Sequence, residues 1–213
     1  MIYEDNCKQG SDIWFRQRMG IPTSSNFKEL LVKPKKAADI FGKGALTYMY
    51  KLAGERLIGE PQHNHTNDHM QRGHDNEPYA RDAYSFHSGN EVRTTGIILQ
   101  LDENKNRIAG YSPDGLVEDD GTIEIKDKLP HLQIETILAD VVPKEHMPQI
   151  QGGLWVSERE WCDFVSYCPK LLKPFVKRVY RDEEMISKIA KQVSIFNYEL
   201  DALCEQLKKW SEQ

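Results

Sequence analysis

An α/β fold (α+β in its element order), with a mixed sheet flanked by helices, is what the sequence predicts, and three observations predict it. Apolar residues recur at helical spacing in the first part of the chain, switch to strand-like alternation after Gly89, and return to helical spacing near the end. Two strand-like runs stand apart from the main strand cluster, with a helical run between. At 213 residues, 39% hydrophobic and 29% charged, the chain suffices for one domain with a real core, expected to span residues 1–213.

The elements follow in order. Thr23-Ser24-Ser25-Asn26 offers N-cap side chains ahead of FKELLV, so a short helix is expected there. Leu46, Met49, Leu52 and Leu57 mark a helix over Leu46–Ile58, closed by Gly59. Pro61 to Asp68 reads as a polar loop, and a second helix runs from about His74 to His87, stopped by Gly89. Glu91–Leu101 and Arg107–Tyr111 read as strands, and Glu118-Asp119-Asp120-Gly121 turns the chain between Leu116 and Ile123. Met147–Val156 reads as a helix despite Gly152 and Gly153. Strands are expected over Trp161–Tyr167 and Phe175–Tyr180, then a long amphipathic helix over Glu183–Trp210.

Bulk properties exclude several classes. No apolar run approaches membrane-spanning length, and Met1–Gln17 is too polar for a signal peptide, so a cytoplasmic location is expected. The cysteines, Cys7, Cys162, Cys168 and Cys204, form no CxxC pair and read as free, mostly buried thiols. A net charge of −5 argues against a general nucleic-acid coat protein, though not against an enzyme whose basic residues line one channel. Two basic runs stand out. One holds Lys33, Lys35, Lys36 and Lys43 against the single acid Asp39; the other, Lys170 to Arg181, has five basic residues and no acid.

The stretch YSPDGLVEDDGTIEIKDKLP carries the chemistry. Side chains alternate along a strand, so Ile123 and Ile125 face a core while Glu124 and Lys126 share the other side. The turn returns the chain so that Asp114 lies near Glu124. Two carboxylates and an ammonium then converge at one sheet edge. Mg²⁺ takes oxygen ligands and keeps several waters, so one or two carboxylates plus a substrate phosphate make a sufficient site. A surface hairpin with a cross-strand Glu and Lys explains the same residues equally well.

The wider pattern resolves the choice. SDIWFRQRMGIPTSSNF, RGHDNEPYARDAY, SPDGL…IEIK and MPQIQGGLWV occur in that order between Ser11 and Val156. In this series the chain resembles the phage lambda-type recombination exonucleases, YqaJ-like viral recombinases with a PD-(D/E)xK restriction-endonuclease-like core. The resemblance implies Asp114 and Glu124 as metal ligands, with the Ile125 carbonyl a third oxygen and Glu77, of Gly73-His74-Asp75-Asn76-Glu77, beside the metal. It implies Lys126 as the catalytic lysine and Gln149 as support for nucleophile and phosphate; Gln151 is either a further site residue or simply exposed. Arg18 becomes the sensor of a 5′ phosphate, assisted by Ser25, while Trp14 is expected to pack. Where the family commonly follows its lysine with Cys-Pro, this chain has Asp127-Lys128-Leu129-Pro130. Asp127 faces away from Glu124 and Lys126 if the strand stays regular.

His63, His65, His69 and His74 fall close together, but with no cysteine nearby and no compact ligand spacing they read as a solvated loop rather than a zinc site. The resemblance as a whole implies a Mg²⁺-dependent enzyme, with Mn²⁺ able to substitute. It would act on double-stranded DNA ends 5′→3′ by two-metal hydrolysis, release 5′-mononucleotides and leave a 3′ tail. A homotrimeric ring, a single-strand annealing protein as partner, and a phage or prophage setting in a bacterial host are implied with it. The same residues would also serve an endonuclease of that superfamily, or a DNA-binding subunit with a relic site.

Overall fold

A computed structural model describes residues 1–36, 38–62, 68–171 and 173–212. The first elements are β1 (Ile2–Asp5) and α1 (Asp12–Arg18), whose Ser11 side chain caps the Trp14 N–H. A 3₁₀ turn, Ser24–Asn26, leads into α2 (Phe27–Leu31), followed by α3 (Lys43–Ile58) and α4 (Asp68–Ser88). Strands β2 (Val92–Arg93), β3 (Ile97–Leu101), β4 (Arg107–Tyr111), β5 (Gly115–Val117) and β6 (Gly121–Asp127) come next. Then follow α5 (Pro130–Ala139), α6 (Met147–Ser157), β7 (Trp161–Tyr167), β8 (Phe175–Tyr180) and α7 (Glu183–Ser211). No described helix is long and apolar enough to cross a membrane.

The strands form two sheets. One is antiparallel, in the order β1-β3-β4; the other is mixed, in the order β2-β5-β6-β7-β8, its single parallel pair being β6 with β7. The β6-to-β7 connection runs through α5 and α6, the crossover that a parallel pair requires. On the mixed sheet, α4 covers the face of Ile123, Ile125 and Val165 through Ala80 and Tyr84. The opposite face receives α6, where Ile150 and Leu154 meet Cys162 and Phe164. α7 closes the structure against α2, α3 and α6, with Ile189, Val193, Phe196 and Leu200 buried in the largest apolar cluster.

The expected strand over Glu91–Leu101 is in fact two, β2 in the mixed sheet and β3 in the antiparallel one. The step between them falls at Thr94-Thr95-Gly96. There the backbone passes so close to its neighbour that a Cβ on Gly96 would sit 2.2 Å from the Cys7 carbonyl oxygen. The second expected helix begins earlier, at Asp68, and runs through Pro78. Residues 63–67 of the polar loop, with His63 and His65, lie outside the described residues. The four cysteines are free, three of them buried.

Three elements lacked a legible period. β1 has four residues, and α1, with seven, has none fully buried. α5 inverts the usual pattern: Gln133 and Thr136 face inward while Leu132, Ile134, Ile137 and Leu138 face outward. The Gln133 amide donates to the Ser166 carbonyl and accepts from the Ser166 hydroxyl, so the buried polar face is satisfied.

Close packing of α6 explains its two glycines. A Cβ on Gly152 would lie 2.3 Å from the Phe27 ring, and one on Gly153 would lie 2.7 Å from the Tyr111 ring. Helix propensity alone would make Gly153→Ala stabilising by about 1 kcal/mol. Overpacking against the buried Tyr111 reverses the sign, and we expect a net loss of ~1–3 kcal/mol in urea unfolding; a gain in stability would show that α6 is not seated this tightly.

Candidate active site

Alternation along β6 places Ile123, Ile125 and Asp127 toward α4, and Glu124 and Lys126 toward α6. Lys126 Nζ donates to Glu124 Oε1 at 2.6 Å and to Gln149 Oε1 at 3.2 Å, and Gln149 Nε2 donates to the same Glu124 oxygen at 2.5 Å. Gln149 lies in the first turn of α6. Glu124 is 1% exposed, and its second oxygen, Oε2, is buried without a hydrogen-bond partner among the described residues.

Asp114 sits at the entrance to β5, and its Oδ2 accepts the Ile125 N–H at 2.6 Å. A residue's N–H and C=O point to the same side of a strand, so the Ile125 carbonyl is directed to the side where Asp114 lies, beyond the end of β5. Burial pushes the Asp114 carboxyl well above its usual range, and the charges of Glu124 and Glu77 push it further. Burial would lower the Lys126 ammonium, but attraction by Glu124 and Asp114 outweighs it and the net shift is upward.

Glu77, on α4, pairs with Arg81 one turn later, and Arg81 also donates to the Asp114 carbonyl at 3.1 Å. Arg81 thus links the helix carboxylate to the backbone of the segment that carries Asp114. The i,i+4 spacing of Glu77 and Arg81 is the signal that would have found it. Asp127 faces α4 as a regular strand requires, accepting from Arg72 Nε and, at 2.9 Å, from Asn76 Nδ2. In place of a cysteine, this chain thus braces the end of β6 against the helix that carries Glu77.

Among the described residues no three acid, cysteine or histidine side chains are drawn together in ligating geometry, because Glu77 is turned to Arg81. The donor set still fits a hard divalent cation. Glu124 Oε2 is a buried oxygen without a partner among the described residues, the Asp114 carboxyl is held well above its usual range by burial and by Glu124, which a cation would reverse, and the Ile125 carbonyl adds a neutral oxygen. Two carboxylates and a carbonyl, completed by water and substrate, suit Mg²⁺.

A second region lines a cavity of about 720 Å³ whose walls include Trp14, Arg18, Ser25, Tyr48 and also Glu77. The Arg18 guanidinium stacks over Trp14, 4.3 Å from its centroid. It donates to the hydroxyls of Ser112 at 3.2 Å and Thr23 at 3.4 Å, and among the described residues it pairs with no carboxylate. Burial lowers its pKa, although at any ordinary pH the group stays charged. Ser25 is exposed, its hydroxyl 3.4 Å from that of Thr23. Trp14 packs, and its indole N–H bonds the Gly96 carbonyl and Ser112 Oγ. Ser112 is only two residues before Asp114, so one short segment serves both regions.

Gln151 is not exposed, and its hydrogen bonds lie outside the Glu124–Lys126–Gln149 cluster. It is fully buried on another side of α6, its amide donating to the Tyr180 carbonyl and accepting the Asp182 N–H. In the second basic run, Lys177 pairs with Asp140, Arg178 with Asp163, and Arg181 with Glu183. Arg178 also lies over Trp161, so much of that run is structural. Tyr48, whose hydroxyl accepts the Thr23 N–H at 3.1 Å, left no signal in the sequence beyond a helical position.

The profile of the YqaJ-like viral recombinase domain matches residues 13–160. The chain belongs to this family. Its structure is similar to that of an alkaline exonuclease (LHK-Exo) from Laribacter hongkongensis, with a TM-score of 0.82 and 35% identity over 95% of this chain and 98% of that one. A structure of LHK-Exo in complex with dAMP matches equally well. A phage related exonuclease from Haemophilus somnus 129PT shares the fold, with a TM-score of 0.64 and 17% identity over 87% of this chain and 96% of that one. No curated protein sequence matches the chain. The two sheets flanked by helices are thus the PD-(D/E)xK-like fold that the ordered motifs predicted.

Asp114→Asn keeps an acceptor for the Ile125 N–H and removes a carboxyl whose charged form burial and Glu124 disfavour. In metal-free buffer we expect it to raise stability by about 1 kcal/mol. Millimolar Mg²⁺ should raise the melting temperature of the unsubstituted protein by mass action but leave the variant nearly unmoved. A variant that is less stable without metal, or that keeps the full Mg²⁺ shift, would contradict the assignment of Asp114 as a ligand.

Proposed function

We propose that this protein is a Mg²⁺-dependent 5′→3′ exonuclease that degrades linear double-stranded DNA to 5′-mononucleotides and leaves a 3′ single-stranded tail for strand annealing. One observation carries the reading. An arginine with no acidic partner among the described residues shares a cavity with Glu77, and the short segment Ser112–Asp114 joins it to the carboxylate–lysine cluster. An enzyme that starts only at phosphorylated ends needs these two regions a fixed distance apart. Family membership and likeness over nearly the whole chain to an alkaline exonuclease support a nuclease role, and the dAMP bound to that relative is a mononucleotide.

In this reading Asp114, Glu124 and the Ile125 carbonyl, with Glu77 nearby, hold Mg²⁺, for which Mn²⁺ substitutes. When bound, the metal supplies Lewis acidity toward phosphate and makes water at the site more acidic. The protein's own groups do the rest. Arg18 takes the terminal 5′ phosphate with its guanidinium fork, exchanging the weak hydroxyl acceptors of Ser112 and Thr23 for charged oxygens, with Ser25 at the rim. Lys126, kept charged by its acidic neighbours, stabilises the negative charge that builds on the reacting phosphoryl group. Gln149 orients the attacking water from the Glu124 side.

The test uses a linear duplex with a 5′ phosphate at one end and a 5′ hydroxyl at the other, mixed with closed circular DNA, Mg²⁺ being added last. The phosphorylated strand should shorten first while the circle stays intact. Arg18→Ala should lose about 2 kcal/mol of preference for the phosphorylated end, roughly thirtyfold. Cutting of the circle would identify an endonuclease instead, and binding without degradation in Mg²⁺ or Mn²⁺ would identify a relic site.

We further propose that the chain works as a homotrimeric ring and hands its tail to a single-strand annealing protein. The outward Ile134, Ile137 and Leu138 of α5, with Leu138 80% exposed, form an apolar face of the kind that assembly covers. Sedimentation should give a trimer that Ile134→Glu with Leu138→Glu weakens; a monomer at all concentrations would remove the ring.

A further inference from the structure

The turn after α1 is held with unusual completeness. Arg107 donates to the carbonyls of Arg16 at 2.9 Å and Gln17 at 2.8 Å. Two residues past Arg18, Gly20 takes a left-handed backbone with φ +70°, and both of its peptide groups are gripped by α3. Glu55 Oε2 accepts the Gly20 N–H at 2.8 Å, and Arg56 Nε donates to the Gly20 carbonyl at 2.6 Å. A Cβ at this position would lie 2.6 Å from Arg56 Cγ, so the close approach requires glycine. The remaining oxygen of Glu55 accepts the Gln62 N–H at 3.2 Å.

Glu55 is therefore a carboxylate, 5% exposed, on the wall of the cavity that we read as the receptor of a phosphate. An acid there opposes an incoming anion, so its presence calls for a cause. Its hydrogen bonds go to two backbone N–H donors, with Lys51 4.0 Å away; it reaches Arg18 only through space, and the guanidinium's own hydrogen bonds go to hydroxyls. The same side chain spans two cavity walls, the Gly20 turn below Arg18 and the Gln62 segment ahead of α4.

We infer that Glu55 is a positioning residue for the terminal phosphate: its carboxylate fixes the Gly20 turn that aims Arg18, and so sets the preference for phosphorylated ends. The inference rests on the reading of Arg18 as the phosphate sensor. Glu55→Gln retains one acceptor but sets an amide N–H₂ against the other backbone N–H, so the two walls can no longer both be held.

The experiment measures kcat and KM of the Mg²⁺-loaded enzyme on blunt duplexes ending in a 5′ phosphate or a 5′ hydroxyl, with melting temperatures alongside. Misaiming Arg18 should shrink the phosphate-over-hydroxyl ratio of kcat/KM by about ten- to a hundredfold, mainly through KM on phosphorylated ends, with hydroxyl ends unaffected. A buried acid with a merely structural role would lower the melting temperature and slow both substrates alike; an unchanged ratio overturns the inference. If Glu55→Gln does not fold, Arg56→Gln releases the other backbone group of Gly20, and the ratio decides in the same way. Should the unsubstituted enzyme show no preference, or Arg18→Ala leave it intact, the reading of Arg18 fails and the inference falls with it. A preference that depends on Arg18 but not on Glu55 or Arg56 overturns the inference alone.

Discussion

Where the chain leaves β4 at Tyr111 it changes sheet, and the three residues Ser112, Pro113 and Asp114 carry it across before β5 begins. A second crossing, Thr94 to Gly96, runs beside it. Gln9 donates one amide to the carbonyls of both Thr95 and Pro113, and Trp14 bonds both Gly96 and Ser112. Backbone groups released from a sheet need partners, and here α1 and its leading loop supply them. The consequence is positional. Asp114 is delivered to the open end of β5, and Ser112 is delivered to Arg18.

The chemistry of the cluster follows from what was buried with it. Glu124 is sequestered with one oxygen satisfied twice and the other left open, and Asp114 and Glu77 add charge of the same sign nearby. Lys126 offsets only part of that. An arrangement of this kind opposes its own stability and favours any hard cation that enters, which is the usual trade at a site built to bind. Arg18 is the mirror case, a cation desolvated beside hydroxyls that can yield to stronger acceptors.

Rigidity around the two regions has different sources. α6 is pressed against Phe27 and Tyr111 through glycines that leave no slack, so Gln149 reaches Glu124 from a helix with little freedom to shift. Asp127 locks the end of β6 to α4 through Arg72 and Asn76. The arginine side instead depends on hydrogen bonds to a turn, from Glu55, Arg56 and Arg107. Loop backbone has no ladder to hold it, and side chains from neighbouring elements must do that work.

Local pattern carries information only as far as its period reaches. Alternation along Thr122 to Asp127 put Glu124 and Lys126 on one face, and turn residues at Glu118–Gly121 set the hairpin. Helix α7 was legible because it buries one apolar stripe, and β7, though buried on both faces, because it is a short apolar and aromatic run. α5 was not, since its inner face is polar and its outer face apolar, and the strand over Glu91–Leu101 hid a change of sheet at Thr94-Thr95-Gly96, where the two threonines are themselves strand formers. An acid at Glu55, in line with the apolar stripe of Met49 and Leu52, was visible but had no meaning until Gly20 was seen beside it. Ser112 lies 94 positions from Arg18 and Gln149 lies 25 from Glu124, separations that no local rule spans. The sequence by itself determined which acids and which lysine share a strand face. Only tertiary packing decided what meets them, because those contacts depend on how α4 and α6 seat on the mixed sheet.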